Sequence, residues 1–89
     1  MERIHVIATT DQQTRAAIDD AVRRALICRG AVVVWIPQII GRTTPDDDAA
    51  VHRRVDDYRR LIAELGGAGR VRVCLCHGVE QLAGRLAAL

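Results

Sequence analysis

The stretch Ala31-Val32-Val33-Val34-Trp35-Ile36 decides the fold of this 89-residue chain. Six consecutive apolar residues, most of them β-branched, are too few for a globular helix and are typical of a strand. A strand with no alternation of apolar and polar residues is typical of the interior of a parallel sheet, where layers cover both faces. We therefore predict a parallel sheet with this segment at its centre, and we expect Pro37 to end the strand.

Two further segments predict the neighbouring strands. Ile4–Ala8 is a short apolar run, and Val71–Cys76 continues a period-two alternation that starts at Arg70. The intervening segments are long enough for full helices, and strands joined by helices cross over the sheet and run parallel. With both crossovers in one direction, the strand order is 3-2-1. The predicted fold is a three-layer α/β domain that spans residues 1–89.

Three helices are expected around this sheet. The first begins after Thr10, which is followed three residues later by a glutamine, as in a capping box, and it ends at Gly30. The second begins at Thr44-Pro45, where a capping hydroxyl, a proline and three aspartates coincide. The third covers residues 79–89. The order of elements is therefore strand, helix, strand, helix, strand, helix.

The composition excludes several kinds of site. All thirteen basic residues are arginine, and the sequence contains neither lysine nor serine. A serine nucleophile, a Schiff-base lysine and the lysine of a phosphate-binding P-loop are therefore ruled out. The net charge is only +2, and the arginines of the second helix are interleaved with aspartates, which is typical of a solvated helix face. The only aromatic residues, Trp35 and Tyr58, are too few to stack the bases of a single strand, and we expect them to pack in the core between the middle strand and the second helix. We expect no nucleic-acid partner.

The sequence also predicts a cellular location. Its longest apolar runs are far shorter than the roughly 20 residues that span a bilayer, and the chain enters a strand directly after Met1-Glu2-Arg3, without a signal-like segment. Three cysteines cannot all pair within one chain, which favours a reducing compartment. We expect a cytoplasmic protein without a membrane partner.

The residues at the ends of the predicted elements match those of a known family. Val6-Ile7-Ala8-Thr9-Thr10-Asp11 is a first strand that leads to an aspartate, and Gly30-Ala31 leads into the second strand. Val71–Cys76 and the turn at Gly78 follow in the same order. In these features the chain resembles the universal stress protein family, which has the adenine nucleotide alpha hydrolase-like fold. The resemblance covers all 89 residues, and order carries it more than any one motif.

The resemblance implies a ligand site. In family members that bind ATP, the aspartate at the end of the first strand contacts the nucleotide, and backbone near the end of the second strand faces the adenine. In this sequence those roles fall on Asp11 and Ile36, with Thr10 beside them. They lie at the carboxyl ends of the strands, where open α/β sheets bind ligands. From the residues alone, Asp11 as a helix-capping side chain is the alternative.

The sequence departs from the family in one respect. Nucleotide-binding members hold the phosphates with a glycine-rich stretch after a fourth strand, and this sequence stops at Leu89, where that strand would begin. The chain therefore looks like an incomplete doubly wound domain that lacks the last strands of the family fold. The second part is lost, supplied by another chain, or removed from the sequence.

An incomplete sheet predicts a function in binding. We expect a universal stress protein-like interaction module that is not an enzyme and forms a homo-oligomer through its open apolar edge. The alternative is a stress-response protein that binds an adenine nucleotide, ATP or AMP, in a weak or partner-completed site. The resemblance thus implies ATP as the cofactor. The sequence does not contain the glycine-rich stretch that holds the phosphate groups in the family, so it gives this cofactor little support.

Cys74-Leu75-Cys76-His77 suggests a metal or redox site. On a strand, Cys74 and Cys76 point to one face and His77 to the other, so the three side chains do not easily converge on one ion unless the strand ends at Cys76. We predict buried structural cysteines and no metal ligands, with a zinc or oxidation-sensitive thiol pair as the alternative. His5 and His52 have no nucleophile or paired carboxylate nearby in the pattern, so no catalytic residue is predicted.

Overall fold

A computed structural model describes residues 2–39 and 45–78, together with residues 80, 83, 84 and 87. The strands form one parallel sheet in the order β1-β2-β3. This confirms the predicted α/β class, the parallel pairing and the central second strand. Most of the predicted helix over residues 79–89 lies outside the described residues. The elements are β1 (Arg3–Ile7), α1 (Asp11–Cys28), β2 (Ala31–Ile39), α2 (Pro45–Glu64) and β3 (Gly69–Cys76).

β2 continues past Pro37, where the sequence predicted its end. The amide of Ala8 donates to the carbonyl oxygen of Trp35 over 2.8 Å, so the backbone groups of Trp35 face β1. Two residues further on, the N–H that proline lacks would face the same side, just beyond the end of β1. The missing donor therefore ends the pairing with β1, while the pairing with β3 continues to the end of β2.

The start of α1 confirms the predicted cap at Thr10, whereas the end of α1 differs from the prediction. Thr10 is the N-cap, and its Oγ1 accepts a hydrogen bond from the amide of Gln13 at 3.2 Å. At the C-terminus Arg29, and not Gly30, adopts the left-handed conformation, with φ of 56°. Gly30 is needed for another reason, because a Cβ there would lie 2.7 Å from the carbonyl oxygen of Glu2.

α1 and α2 pack on the same face of the sheet. The strand order moves in one direction at both crossovers, and right-handed crossovers then place both helices on one side. The apolar central strand predicted that helices cover both faces of the sheet. In the described part of the chain, α1 and α2 leave the opposite face uncovered. The core between the sheet and the helices includes Val6, Ile18, Val22, Val32, Val34, Ile36, Tyr58, Ile62 and Val71.

The placement of Trp35 differs from the prediction. Its neighbours Val34 and Ile36 are fully buried under the helices, and successive side chains of a strand point to opposite faces. Trp35 therefore lies on the other face of the sheet, where it is half-buried. We had expected it to pack in the core against α2. A run without alternation does not reveal which of its residues face the helices.

None of the described helices is long and apolar enough to cross a membrane.

Gly69 offers a test of how closely β2 and β3 approach. It pairs with Val32, and a Cβ at this position would collide with the Val32 carbonyl oxygen and lie 3.3 Å from Cδ1 of Ile62. We expect Gly69→Ala to lower the free energy of unfolding by about 1–3 kcal/mol, as overpacking does in a rigid core. The matched control is Gly78→Ala, since a Cβ there meets nothing within 4 Å. Equal stability of the two variants in denaturant titrations would contradict the close approach.

Candidate functional site

The predicted site lies where β1 gives way to α1. The cap at Thr10 is reinforced by Thr14, whose buried hydroxyl donates to the carbonyl oxygen of Thr10 at 2.7 Å and accepts from the amide of Thr9 at 2.9 Å. The polar groups of this turn thus hold one another, as the capping pattern requires. The turn fixes the start of α1 and therefore the position of Asp11, its first residue.

Both carboxylate oxygens of Asp11 have partners. Nε of Arg15 donates to Oδ2 at 2.9 Å, one turn further along α1. The hydroxyl of Tyr58, from α2, donates to Oδ1 at 3.0 Å. Asp11 is therefore neither a helix cap nor an unengaged carboxylate. It forms the link between the two helices at the carboxyl end of the sheet.

Tyr58 is the centre of this link. The residue is fully buried, and its hydroxyl accepts from Nε and Nη2 of Arg54 at 3.2 and 3.1 Å. The guanidinium carbons of Arg15 and Arg54 lie 5.9 and 5.4 Å from the ring centroid, within the range of cation–π contacts. Nη2 of Arg54 also donates to the carbonyl oxygen of Thr9 at 3.0 Å, so α2 is tied to the turn after β1.

Sequence reasoning did not identify Arg15, Arg54 and Tyr58 as residues of this site. Arg54 and Tyr58 are four residues apart, a spacing that places them on one face of α2 and that the sequence does display. Tyr58 had been assigned to the core, and its ring is indeed buried there. The contact of its hydroxyl with Asp11 joins residues 47 positions apart, which no local pattern indicates.

These contacts set the charge state of Asp11. The hydrogen bond from Arg15 and then that from Tyr58 lower the pKa of Asp11 below its ordinary 3.8, and the pKa of Arg15 is raised in return by Asp11. Asp11 is thus a poor proton acceptor near neutral pH. It can accept a hydrogen bond from a hydroxyl or amino group of a ligand, and it repels a phosphate placed directly against it.

The three predicted site residues are not equally accessible. Thr10 and Asp11 are exposed at the carboxyl end of β1. Ile36 is fully buried among the core residues, and its position in the strand turns its backbone groups toward β3. The next residue, Pro37, turns its carbonyl oxygen toward the space beyond the end of β1.

The three cysteines differ in exposure, and Cys28 is the exposed one. None of the three forms a disulfide; Cys76 is buried, and Cys74 is half-buried. Among the described residues, no group of three or more histidine, cysteine or acidic side chains is arranged to hold a metal ion.

Comparison with known proteins supports the fold. The sequence matches no protein-family model and no curated protein significantly. A solved structure of a protein from the universal stress protein family of Burkholderia pseudomallei is similar to this chain, with a TM-score of 0.68 and 18% sequence identity. The match covers 96% of this chain and 74% of the other. At this identity the likeness establishes a shared fold, which is the fold that the resemblance in sequence predicted.

The pKa of Asp11 offers a test of the link between the helices. We expect Arg15→Gln to raise this pKa, and Tyr58→Phe to raise it by a smaller amount, because the bond from Arg15 is the larger cause. Carbon-detected NMR titration of the carboxyl group measures both changes. Arg24→Gln, which removes the partner of Asp20 on the same helix, is the matched control.

The same titration has a consequence for stability. A carboxyl group with a lowered pKa in the folded state stabilises the fold above its unfolded pKa of 3.8, and this contribution is lost as the pH falls through the folded value. The difference in stability between the wild type and Arg15→Gln is therefore expected to be largest above pH 3.8 and to shrink in acid. A difference that grows in acid contradicts this account.

Proposed function

We propose that this chain is a universal stress protein-like binding module that acts as a homo-oligomer and not as an enzyme. The observation that carries the proposal is the free side of β1. In the described part of the chain, β1 has a neighbouring strand on one side only. Edge strands of this kind are ready-made surfaces for a further strand.

The backbone of β1 indicates which groups would bond to a partner. The amide of Ala8 and the carbonyl oxygen of Glu2 bond to β2. Because backbone groups alternate in direction along a strand, those of Arg3, His5 and Ile7 point away from β2. A two-fold axis opposite His5 pairs β1 with β1 of a second copy in antiparallel orientation, with Arg3 across from Ile7.

Two features support a non-catalytic role and a cytoplasmic location. Asp11, the carboxylate at the predicted site, is held in its ionised form by Arg15 and Tyr58, so it is poorly suited to act as a general base. The cytoplasmic location is proposed from the cysteine count, because three cysteines cannot all pair within one chain. The stress-response role is proposed from the fold alone.

Ile7→Pro tests the proposed dimer. It removes an outward N–H without touching the bonds to β2, and proline is tolerated in edge strands at such positions. Each lost pair of symmetry-related bonds contributes about 1–3 kcal/mol, so we expect the dissociation constant of the dimer to rise by about 5- to 150-fold in sedimentation equilibrium. Ile7→Thr keeps the amide and the branched side chain, and is expected to remain dimeric. A wild-type chain that stays monomeric at micromolar to millimolar concentration contradicts the proposal.

A second candidate function is adenine-nucleotide binding at the carboxyl end of the sheet. Its support is the exposed pair Thr10 and Asp11 beside the carboxyl end of β2. At that end of β2, Ile36 is fully buried, and the carbonyl group of Pro37 is turned toward the side of β1. Arg15 and Arg54 bring two cations to this region, although both are already engaged with Asp11 and Tyr58. Phosphate groups need several donors aimed at one point, and a second chain would have to complete that set.

Calorimetric titration with ATP tests the nucleotide site. We expect weak binding, with a dissociation constant of roughly 0.1–1 mM, corresponding to about 4–5.5 kcal/mol. Asp11→Ala is expected to weaken it at least about fivefold. Asp20→Ala is the matched control, because Asp20 and Asp11 have the same 62% side-chain exposure and each pairs with an arginine four residues on. Heat that is equal in both variants, or no heat at all, contradicts this candidate.

A further inference from the structure

We propose that the face of the sheet opposite α1 and α2 is a docking surface for an acidic amphipathic helix of another polypeptide. We call this surface the open face. It contains a concave pocket with a volume of about 430 Å³, near the amino ends of β2 and β3. Its lining side chains belong to all three strands and include Arg3, His5, Val33, Trp35, Arg70 and Arg72.

The open face has an apolar centre between two charged sides. The middle strand contributes Ala31, Val33 and Trp35, which follow one another along one side of the strand. Ala31 and Trp35 are half-buried, and Val33, with 8% of its surface exposed, lies at the floor between them. In register with this strip, Arg70 lies beside Val33 and Arg72 beside Trp35, both on β3. The opposite side carries Arg3 beside Ala31, on β1. A ligand that fits this arrangement is apolar along its middle and negative along both edges.

The charges of the open face are not neutralised by the described part of the chain. No acidic residue is among the side chains that line the concave surface. Within the described ranges 2–39 and 45–78, the aspartates that form ion pairs bind Arg15, Arg23 and Arg24 of α1, and no such pair involves Arg3, Arg70 or Arg72. Unpaired arginines around an apolar strip favour an anionic partner and disfavour a cationic one.

Trp35 provides a fixed anchor at the centre of this surface. Its Nε1 donates to Nδ1 of His5 at 3.0 Å, and the two rings are 6.1 Å apart with an angle of 26° between their planes. The indole is thus held in place before any partner arrives, which reduces the ordering cost of binding. A tryptophan flanked by arginines is the composition typical of interface residues that contribute most to affinity.

The dimensions of the open face suit a helix. The distance from β1 to β3 across β2 is two strand spacings, about 10 Å, which is close to the diameter of an α-helix. Parallel sheets are covered on both faces by helices in almost all known cases, and here the described helices α1 and α2 share one face. An apolar stripe packed on Val33 and Trp35 would place flanking carboxylates over the arginines of β1 and β3.

A second copy of this chain fits the open face poorly. A two-fold axis through it would set the arginines of one copy against those of the other. Like charges brought together in this way oppose association. The surface is therefore distinct from the β1 edge of the proposed homo-oligomer, and the occupant is a different polypeptide.

Single-stranded nucleic acid is also disfavoured. Binding of unpaired bases relies on several aromatic side chains that each stack a base. The open face offers one indole, whose N–H is already shared with His5. The apolar strip of Ala31 and Val33 gives a base nothing to stack on.

The experiment uses Trp35, the single tryptophan of the sequence, as its reporter. A peptide of about 18 residues, long enough to form a helix, carries leucines at helical spacing flanked by glutamates and has no aromatic residue. It is titrated into the full 89-residue chain while Trp35 emission is recorded. A peptide with lysine in place of each glutamate and a single-stranded oligodeoxyadenylate are run alongside. We expect a saturable blue shift with the glutamate peptide alone, weakened by added salt.

Matched variants separate the open face from net charge. The triple variant Arg3→Gln, Arg70→Gln, Arg72→Gln is expected to bind the glutamate peptide at least about tenfold more weakly. The control triple Arg23→Gln, Arg24→Gln, Arg59→Gln loses the same charge from the helices and is expected to stay within about twofold of the wild type. Arg72→Gln alone, next to Trp35 in the register, is expected to lose about threefold. It keeps the test decisive if circular dichroism shows that the first triple variant does not fold.

Three results would overturn the proposal. The first is no emission change with the glutamate peptide. The second is an equal loss in both triple variants, which would assign the binding to net charge. The third is a shift caused by the oligonucleotide and not by the peptide, which would assign the open face to nucleic acid. None of these changes in Trp35 emission depends on the oligomeric state of the chain. Sedimentation equilibrium tests the proposed dimer separately.

Discussion

The direction of two chain crossovers is the constraint on which the rest of this structure depends. β2 lies between β1 and β3, and each connection steps across the sheet the same way. Because such crossovers are right-handed, α1 and α2 must share one face and pack against each other as well as on the sheet. The same constraint leaves β1 at an edge of the sheet that the described strands form, and α1 and α2 cover only one face of that sheet.

The polar contacts between the two helices lie at the carboxyl end of the sheet. Tyr58 is buried with its hydroxyl facing Asp11 and Arg54, so a hydroxyl that would be costly to bury unpaired has partners on two elements. Arg54 extends the network to the turn after β1. The groups that position the turn at Thr10 and Asp11 are therefore also groups that hold the two helices together, so changes at this end of the sheet affect the stability of the fold.

Three surfaces of the molecule differ in chemistry. The β1 edge offers backbone groups, the carboxyl end of the sheet offers an ionised carboxylate among arginines, and the open face offers a tryptophan among arginines that form no ion pair with the described residues. The similar structure from the universal stress protein family, at 18% identity, establishes the fold that presents these surfaces. A fold does not determine what binds, so the ligand of each surface depends on the side chains that the surface presents.

The sequence by itself determined the three strands, their parallel order and the cap at Thr10, because these depend on local apolar patterning and on side chains within a few residues of the backbone they bind. It also located Asp11 at the carboxyl end of the sheet. Only the tertiary structure decided that Trp35 faces away from the helices and that Tyr58 binds Asp11. A fully apolar strand carries no mark of which face is covered, and the Tyr58 contact joins residues 47 positions apart, which meet only after both helices have packed.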